Sequence, residues 1–435
     1  MTDQAHAKKS MGLRLTMVFS LTLLLLLPTF LIMALVSDRQ ATQAEAISEV
    51  GGKWGGAQVI TGPIISVPYR VQTTDDKGLV RQTTEYAYFL PELLNIEGDL
   101  QAEMRQRGIY EITAYGSKLK LSGQFKAPDF STLSIAGANI LWQDSFVILG
   151  VTDLKGIQEN VNLNWNDSSF QFNPGLEQKT LVNSGLSVKA PVNNATQYSF
   201  NLDLSLNGTR ELSFVPVGKE TKVKLSSDWP SPSFSGSFLP ENYDLQDNGF
   251  SANWQVLSLN RNFPQSFVGD NTQEMSDSAF GVNFFIPVDE YQKSMRTVKY
   301  AILLIGLTFL TFFFVEVFNK RRIHPIQYLL AGVALCVFYL LLLSISEHLN
   351  FDLAYLIAGV ATIALITIYC LHILKNYKLT ILQFLILLLL YTFVYIIIQL
   401  EDFALLMGSI GIFIILAIVM FISKKIDWYG EKSEG

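Results

Sequence analysis

The stretch SEHLNFD, residues 346–352, gathers two carboxylates and an imidazole, Glu347, His348 and Asp352, into one short gap between long apolar runs. Carboxylate and imidazole groups this close are the material of a proton relay or a cation site. Glu401 and Asp402 form a second acidic pair in a similar gap. Helix capping accounts for part of the set. Asn350 suits an N-cap, Asp352 an acidic first turn, and Glu401 with Asp402 the same role before a later helix. A cationic His348 would also be favourable at the end of the preceding helix. Glu347 escapes this account, because a carboxylate at a helix C-terminus meets the negative end of the dipole. It needs a partner: His348, a backbone donor, or a basic residue of the segment between the first two apolar runs. Glu347, His348, Asp352, Glu401 and Asp402 are thus a candidate outer-face polar cluster, with simple helix closure as the competing reading.

Other chemistry is thinly supplied. The four histidines are His6, His324, His348 and His372, and none lies between positions 37 and 299. That segment also lacks cysteine, so a Ser-His-Asp triad, a Cys-His pair and a His- or Cys-ligated zinc site are excluded from it. No phosphate-binding glycine loop occurs, Gly218-Lys219 lacking its upstream glycine, and no cofactor motif is found. Cys336 and Cys370 both sit inside apolar runs and read as small buried residues. Within the runs, Glu316 precedes Lys320 by one helical turn, which suits an i,i+4 pair. His324 precedes Pro325 and suits the start of a helix; His372 suits a helix C-terminus.

The elements that must position these groups are membrane spans. Nearly half of the 435 residues are apolar, at 49%, and they concentrate at the two ends of the chain. Six runs, 12–36, 300–318, 326–346, 353–373, 379–399 and 403–422, each approach the ~20 residues needed to cross hydrocarbon. The first is longer than the ~7–15-residue core of a secretory signal and reads as a retained anchor, kinked at Pro28. Lys8 and Lys9 precede it and Arg14 stands at its start. Lys320, Arg321, Arg322, Lys375, Lys378, Lys424 and Lys425 then fall on the same side, and the short loops opposite hold no Lys or Arg. Both termini are expected in the cytoplasm. Tyr328, Tyr377, Trp428 and Tyr429 are placed for an inner aromatic belt.

Residues 37–50, SDRQATQAEAISEV, read as a helical continuation of the first span that stops at Gly51-Gly52. Beyond them the pattern changes to period two. In VNLNWN, Val161, Leu163 and Trp165 alternate with three asparagines; YSFNLDLSL alternates from Tyr198 to Leu206. Turn signals such as Asn207-Gly208 and Asp247-Asn248-Gly249 separate such segments, which argues for half-buried antiparallel strands in a sandwich. Two segments depart from alternation: GGKWGGAQVITGPIISVPY, with five glycines, and SSDWPSPSFSGSFLPENY. In the second, Trp229, Phe234 and Phe238 form a candidate binding loop, against the plainer reading that they plug a sandwich end. Positions 37–299 carry 29 acids against 21 bases, which removes a basic footprint for nucleic acid.

The expected architecture is therefore an α-helical membrane bundle of six spans plus an all-β outer domain, an antiparallel sandwich. Its divisions are 1–11 inside, 12–36 as first span, 37–53 as helical linker, 54–298 as periplasmic sandwich, 299–423 as five-helix domain and 424–435 inside.

The runs RRIHPIQYLLAGVALCVFYLLLLSISEH, LNFDLAYLIAG and LEDFALLMGSIGIFIILAIVMF with KKIDWYG resemble the CreD family of cell-envelope-integrity inner-membrane proteins of Gram-negative bacteria. WGGAQVITGPIISVPY, GIYEITAYGSKLKLSGQF and SSDWPSPSFSGSFLP are similar to that family's outer-domain signatures. The resemblance spans nearly the whole chain and implies an inner-membrane setting in envelope stress, with two-component control, β-lactam response and colicin tolerance. It implies no reaction and no catalytic residues. The partners expected are the lipid bilayer and envelope proteins or cell-wall components. The function expected is a periplasmic binding or scaffolding module; the alternative is a transporter or proton-coupled device that uses the outer-face cluster.

A topology reporter fused after Gly435 is expected to be active only in the cytoplasm, and one inserted beside Asp247 only outside it. Activity of both on one side would break the six-span reading.

Overall fold

Each long apolar run is helical, because a chain crossing hydrocarbon must satisfy its own backbone polar groups. A computed structural model of the chain describes residues 2–74, 80–135, 139–176, 181–192, 196–284, 290–318, 323–400 and 403–424. Helix α1, Thr2–Trp54, is continuous through Pro28 and through the linker, ending just past Gly51-Gly52. A short helix α2, Thr272–Asp277, lies within the β region. Then come α3 (Glu290–Lys299), α4 (Ala301–Phe318), α5 (Pro325–Ser346), α6 (Phe351–Leu374), α7 (Tyr377–Gln399) and α8 (Ala404–Ser423). Six segments among the described residues are long and apolar enough to span a membrane, α3 and α4 counting as one of 29 residues.

Helix α3 is absent from the sequence reading. Its buried positions Tyr291, Ser294 and Val298 follow helical spacing, but the segment is mostly polar and only packing reveals that face.

The chain forms two compact units, residues 1–43 with 288–435, and residues 44–287. In the first, α1 buries Val18, Leu25 and Ile32, a seven-residue repeat that matches a helix leaning along its neighbours. Gly332 of α5 makes room for it, since a Cβ there would fall 2.1 Å from the Leu25 side chain. Phe338 is the aromatic centre of the bundle, with ring centroids 4.8 Å from Tyr391 and 5.4 Å from Tyr355. Helix α8 buries only Gly408 and Gly411, so its apolar side chains face outward as a lipid-exposed helix requires.

The second unit holds two sheets. The strands are β1 (Gln58–Thr74), β2 (Val80–Phe89), β3 (Leu93–Arg107), β4 (Tyr110–Lys126), β5 (Phe146–Val151) and β6 (Asn162–Trp165). They continue as β7 (Ser168–Gln171), β8 (Asn173–Pro174), β9 (Gly185–Lys189), β10 (Gln197–Thr209), β11 (Glu211–Phe214) and β12 (Glu220–Ser227). The last five are β13 (Pro232–Gly236), β14 (Asn242–Gln246), β15 (Gly249–Leu257), β16 (Ser266–Val268) and β17 (Phe280–Phe284). One sheet runs β14-β15-β12-β3-β4-β10-β6-β7; the other runs β13-β17-β11-β1-β5-β9-β8, with β2 on β1 and β16 on β2.

The inward residues, among them Leu119, Leu121, Phe125, Leu163, Trp165, Leu202 and Leu204, form a single core between the sheets. Alternation along β10 sends Asn201, Asp203 and Ser205 to the other face. Two pairings are parallel, β1 with β11 and β3 with β12, where the sequence suggested antiparallel pairing throughout. Both join strands far apart in the chain, and period-two patterning records which face is buried but not the direction of a neighbour.

The segment WGGAQ fixes the start of this unit. Gln58 is fully buried and bonds the Asp153 and Asn207 carbonyls, both at 3.0 Å. Gly55, at φ +131°, and Gly156 press against the same Asn207 carbonyl, which would lie 2.5 and 2.2 Å from added Cβ atoms. Arg107 pairs with Glu49 at 2.8 Å and Arg105 stacks 3.5 Å from the Trp54 ring, so the end of α1 is held by the β3–β4 hairpin.

Residues 44–287 expressed alone are expected to give a strand-rich circular dichroism spectrum insensitive to reductant. In that fragment Leu204→Ala, which empties a fully buried site, should cost ~2–5 kcal/mol in urea unfolding. Asp203→Ala, one residue along on the wet face, should stay within ~0.5 kcal/mol. Equal effects would contradict the assigned faces.

Candidate functional site

Near one end of α4 a carboxylate is buried. Glu316 is 3% exposed; Arg14 of α1 approaches it at 3.1 Å and the Tyr328 hydroxyl of α5 donates to it at 3.1 Å. Lys320, the partner suggested by sequence, lies outside the described residues. Tyr328 is completely buried in this contact rather than facing lipid as a belt residue would. Its ring is also edge-on to Phe309 and Phe312.

The second carboxylate lies at the end of α5. Glu347 caps the helix, and its backbone N–H is used within the last turn. Arg39 of α1 places Nε 3.4 Å from the Glu347 carboxylate, and the Tyr291 hydroxyl of α3 donates to it at 3.5 Å. Arg14 and Arg39 are separated by 25 positions, about 38 Å along a helix. That exceeds ~30 Å of hydrocarbon and stays within the ~40–45 Å that includes the headgroups, so the two ion pairs fall in opposite boundary layers.

The cluster read from SEHLNFD is therefore divided. Glu347 turns toward α1 and α3. Asp352, exposed at the start of α6, turns toward α7, where Tyr395 and Gln399 donate to it at 3.0 and 2.5 Å. His348 is exposed, with its backbone N–H bonded to Ile345. Asn350 caps α6 by accepting from the Leu353 N–H at 3.0 Å. Glu401 and Asp402 lie outside the described residues, as do Trp428 and Tyr429. His324 caps α5 through Nδ1, 3.3 Å from the Ile326 nitrogen, and the His372 Nδ1 lies 2.9 Å from the Ile368 carbonyl. Cys336 and Cys370 are buried free thiols. Among the described residues, no three His, Cys, Asp or Glu side chains converge as metal ligands.

In the β unit, Trp229 is buried and its indole N–H donates to the Ser231 carbonyl at 3.0 Å. Phe234 lies edge-on to Trp254 at 5.6 Å, and Phe238 edge-on to Phe280 at 5.8 Å. All three residues of the candidate loop therefore pack on the core where β13 and β14 end their sheets. Sequence reasoning did not single out Arg261. Its guanidinium is buried among carbonyls, bonding Phe263 and Val217, and burial pushes its pKa down to about 10.

A different concavity opens at the opposite edge. A cleft of about 790 Å³ is lined by Leu154, Ile157, Val161, Phe172, Pro174 and Leu186, with Gln158, Glu159 and Asn160 on its rim. No residue of this cleft belongs to the aromatic loop. Its signal in the sequence was faint, because the rim residues sit in an irregular connection.

Fold and site together define a multi-pass membrane protein, a helix bundle bound to its first helix by two ion pairs and carrying one large β unit. The profile of the family described as inner membrane protein CreD matches residues 10–429. The inner membrane protein CreD of Escherichia coli (strain K12) is 36% identical over 426 residues, covering 96% of this chain and 93% of that protein. The chain belongs to the CreD family of inner membrane proteins. Among solved structures, a two-domain M1 zinc metallopeptidase mutant bound to L-arginine matches with a TM-score of 0.19 and 9% identity. It covers 38% of this chain and 39% of its own, a likeness too slight to bear on fold or chemistry.

Removing one partner of a buried pair is expected to cost far more than trimming an exposed one. Arg14→Ala, which strips the buried Glu316 of its cation, should destabilise the detergent-solubilised chain by ~3–5 kcal/mol. Arg39→Ala, whose arginine is 43% exposed, should cost no more than ~1 kcal/mol. Denaturation of the two variants in dodecyl maltoside checks the order.

Proposed function

We propose that the protein serves envelope maintenance as a membrane-anchored binding module whose β-sandwich faces the periplasm. Both termini then lie in the cytoplasm, as the distribution of Lys and Arg beside the spans suggests. The carrying observation is the cleft beside Gln158, Glu159 and Asn160. A mixed lining, in which apolar side chains stand beside Gln158, Glu159 and Asn160, suits a ligand that is part chain and part polar backbone, such as a segment of an envelope protein or of a cell-wall polymer. Glu159, the one carboxylate in this lining among the described residues, favours a ligand with a basic group. Membership of the CreD family supports an envelope role, and neither the family nor the E. coli relative has a reaction in its name. We accordingly assign no catalytic step.

The outer face of the eight-stranded sheet, where Lys120 of β4 sits exposed, provides an internal control. A photoreactive amino acid at Asn160, irradiated in intact cells, is expected to give a discrete adduct that the same probe at Lys120 does not. Adducts from both positions, or from neither, would remove the cleft from this role.

A further inference from the structure

A strand inside a sheet commits its main-chain groups to two neighbours, whereas a strand at the end of a sheet commits only half of them. β14 ends the eight-stranded sheet, and each of its five residues, Asn242–Gln246, is exposed. The N–H and C=O groups along its free edge therefore meet water, which makes the edge a template for another strand. Other terminal strands are blunted: β8 has two residues, one of them Pro174, and β13 opens with Pro232. β14 contains neither proline nor lysine, the residues that ordinarily spoil an edge.

Its side chains add an apolar face. Tyr243 lies opposite Ala252 of β15 and Leu245 opposite Phe250; both partners are buried, so Tyr243 and Leu245 stand on the core side of the sheet. Yet they are 60% and 52% exposed. The other sheet stops short of them. Phe234 of β13 reaches the Tyr243 ring, with centroids 5.5 Å apart, but leaves most of that side chain to solvent. Leu239, in the connection that enters β14, is exposed as well. An added strand with apolar residues at alternate positions would cover this face.

The surroundings are acidic. Asp244 points to the outer face, and Glu241 and Asp247 flank the strand, all three exposed. The Ser237 hydroxyl donates to the Asp277 carbonyl, which brings α2, with exposed Glu274 and Asp277, beside the same connection. From 225 to 287 the chain holds seven acids and one base, Arg261, which is buried. The exposed lysines of β12 stand two strands inward, about 10 Å away at ~4.8 Å per strand, and Lys222 is paired with Glu220. A second copy of β14 is a poor occupant: antiparallel pairing about Asp244 would set that carboxylate against its counterpart and Glu241 against Asp247.

We propose that β14 is a docking edge for an extended, basic segment of another protein, which adds to the sheet as a further strand. Its apolar residues lie over Tyr243 and Leu245, and its Lys or Arg residues, at the alternate positions, stand opposite Asp244. The surface is separate from the cleft, which opens at the β7–β8 edge.

The test is fluorescence anisotropy of a labelled peptide of alternating lysine and valine, titrated with the full-length protein in dodecyl maltoside at about 0.15 M salt. Saturable binding to wild type is expected. Asp244→Lys should weaken it about tenfold or more, because a like charge then meets the peptide's lysines. Leu245→Lys should weaken it similarly by blunting the edge. Both positions are exposed, so both variants should keep the wild-type gel-filtration profile; should one not purify, Tyr243→Lys takes its place. Glu159→Lys makes the same charge change at the cleft and should leave the affinity within about twofold, since charges more than ~8 Å away are screened at this salt. A peptide of alternating lysine and proline keeps the charge but loses half of its N–H groups, and it should not bind. The proposal is overturned if wild type does not bind the lysine–valine peptide, or if a β14 variant binds it as wild type does. It is equally overturned if Glu159→Lys weakens binding as much as the β14 variants, or if the proline peptide, or one of alternating glutamate and valine, binds as well.

Discussion

A charge held at the edge of hydrocarbon must be answered by an opposite charge or a strong donor, and the arrangement of α1 depends on that requirement. This helix buries a narrow strip of its surface: Val18, Leu25, Ile32 and Val36 are buried, with Gly332 accepting Leu25. Lipid would cover the same side chains at little cost, so apolar packing alone fixes neither its rotation nor its height. The two arginines do. Arg14 must reach Glu316 and Arg39 must reach Glu347, and the spacing between them admits one register along the bundle. Tyr328 and Tyr291 complete the carboxylates' hydrogen bonds from α5 and α3, so each pair gathers three helices.

What could be read from the sequence follows from which physical signals are local. Apolar length gave the spans, and period two gave the buried faces of β6 and β10, because both depend only on residues near in sequence. Glu347 was recognisable as a carboxylate in need of a partner, since the helix dipole disfavours it at that end. Its partner was not recognisable, because Arg39 lies more than 300 positions away and nothing local distinguishes it from Arg14 or Lys53. The same limit hid the parallel neighbours of β1 and β3. Helix α3 was missed for another reason: its buried face uses Ser294 and Thr297, which carry no apolar signal.

The β unit shows how a domain of this size folds without disulfides. Its core contains two groups of rings in contact, Phe125, Trp165, Tyr198 and Phe200 in one and Trp254 and Phe280 in the other, and a core that large does not need a covalent staple. Aromatic bulk also explains where the unit is closed and where it is open. Phe234, Phe238 and Trp254 fill the gap between the sheets at the β13–β14 edge. At the β7–β8 edge Phe172 stands with smaller residues, Val161, Leu186 and Pro174, and there the sheets part into the cleft.

The division of SEHLNFD has a consequence for its chemistry. Glu347 faces a guanidinium, so its charge is neutralised and its oxygens are committed to holding helices together. Asp352 faces a phenol and an amide, which donate hydrogen bonds but carry no charge. An exposed carboxylate with only neutral partners keeps an attractive field for cations in the water outside it. Of the two, then, Asp352 is the one that holds a neighbouring helix through neutral hydrogen bonds, while Glu347 holds α1 through a charge. The two acids lie five residues apart and differ in role because the chain between them turns, sending one to an arginine and the other to a tyrosine.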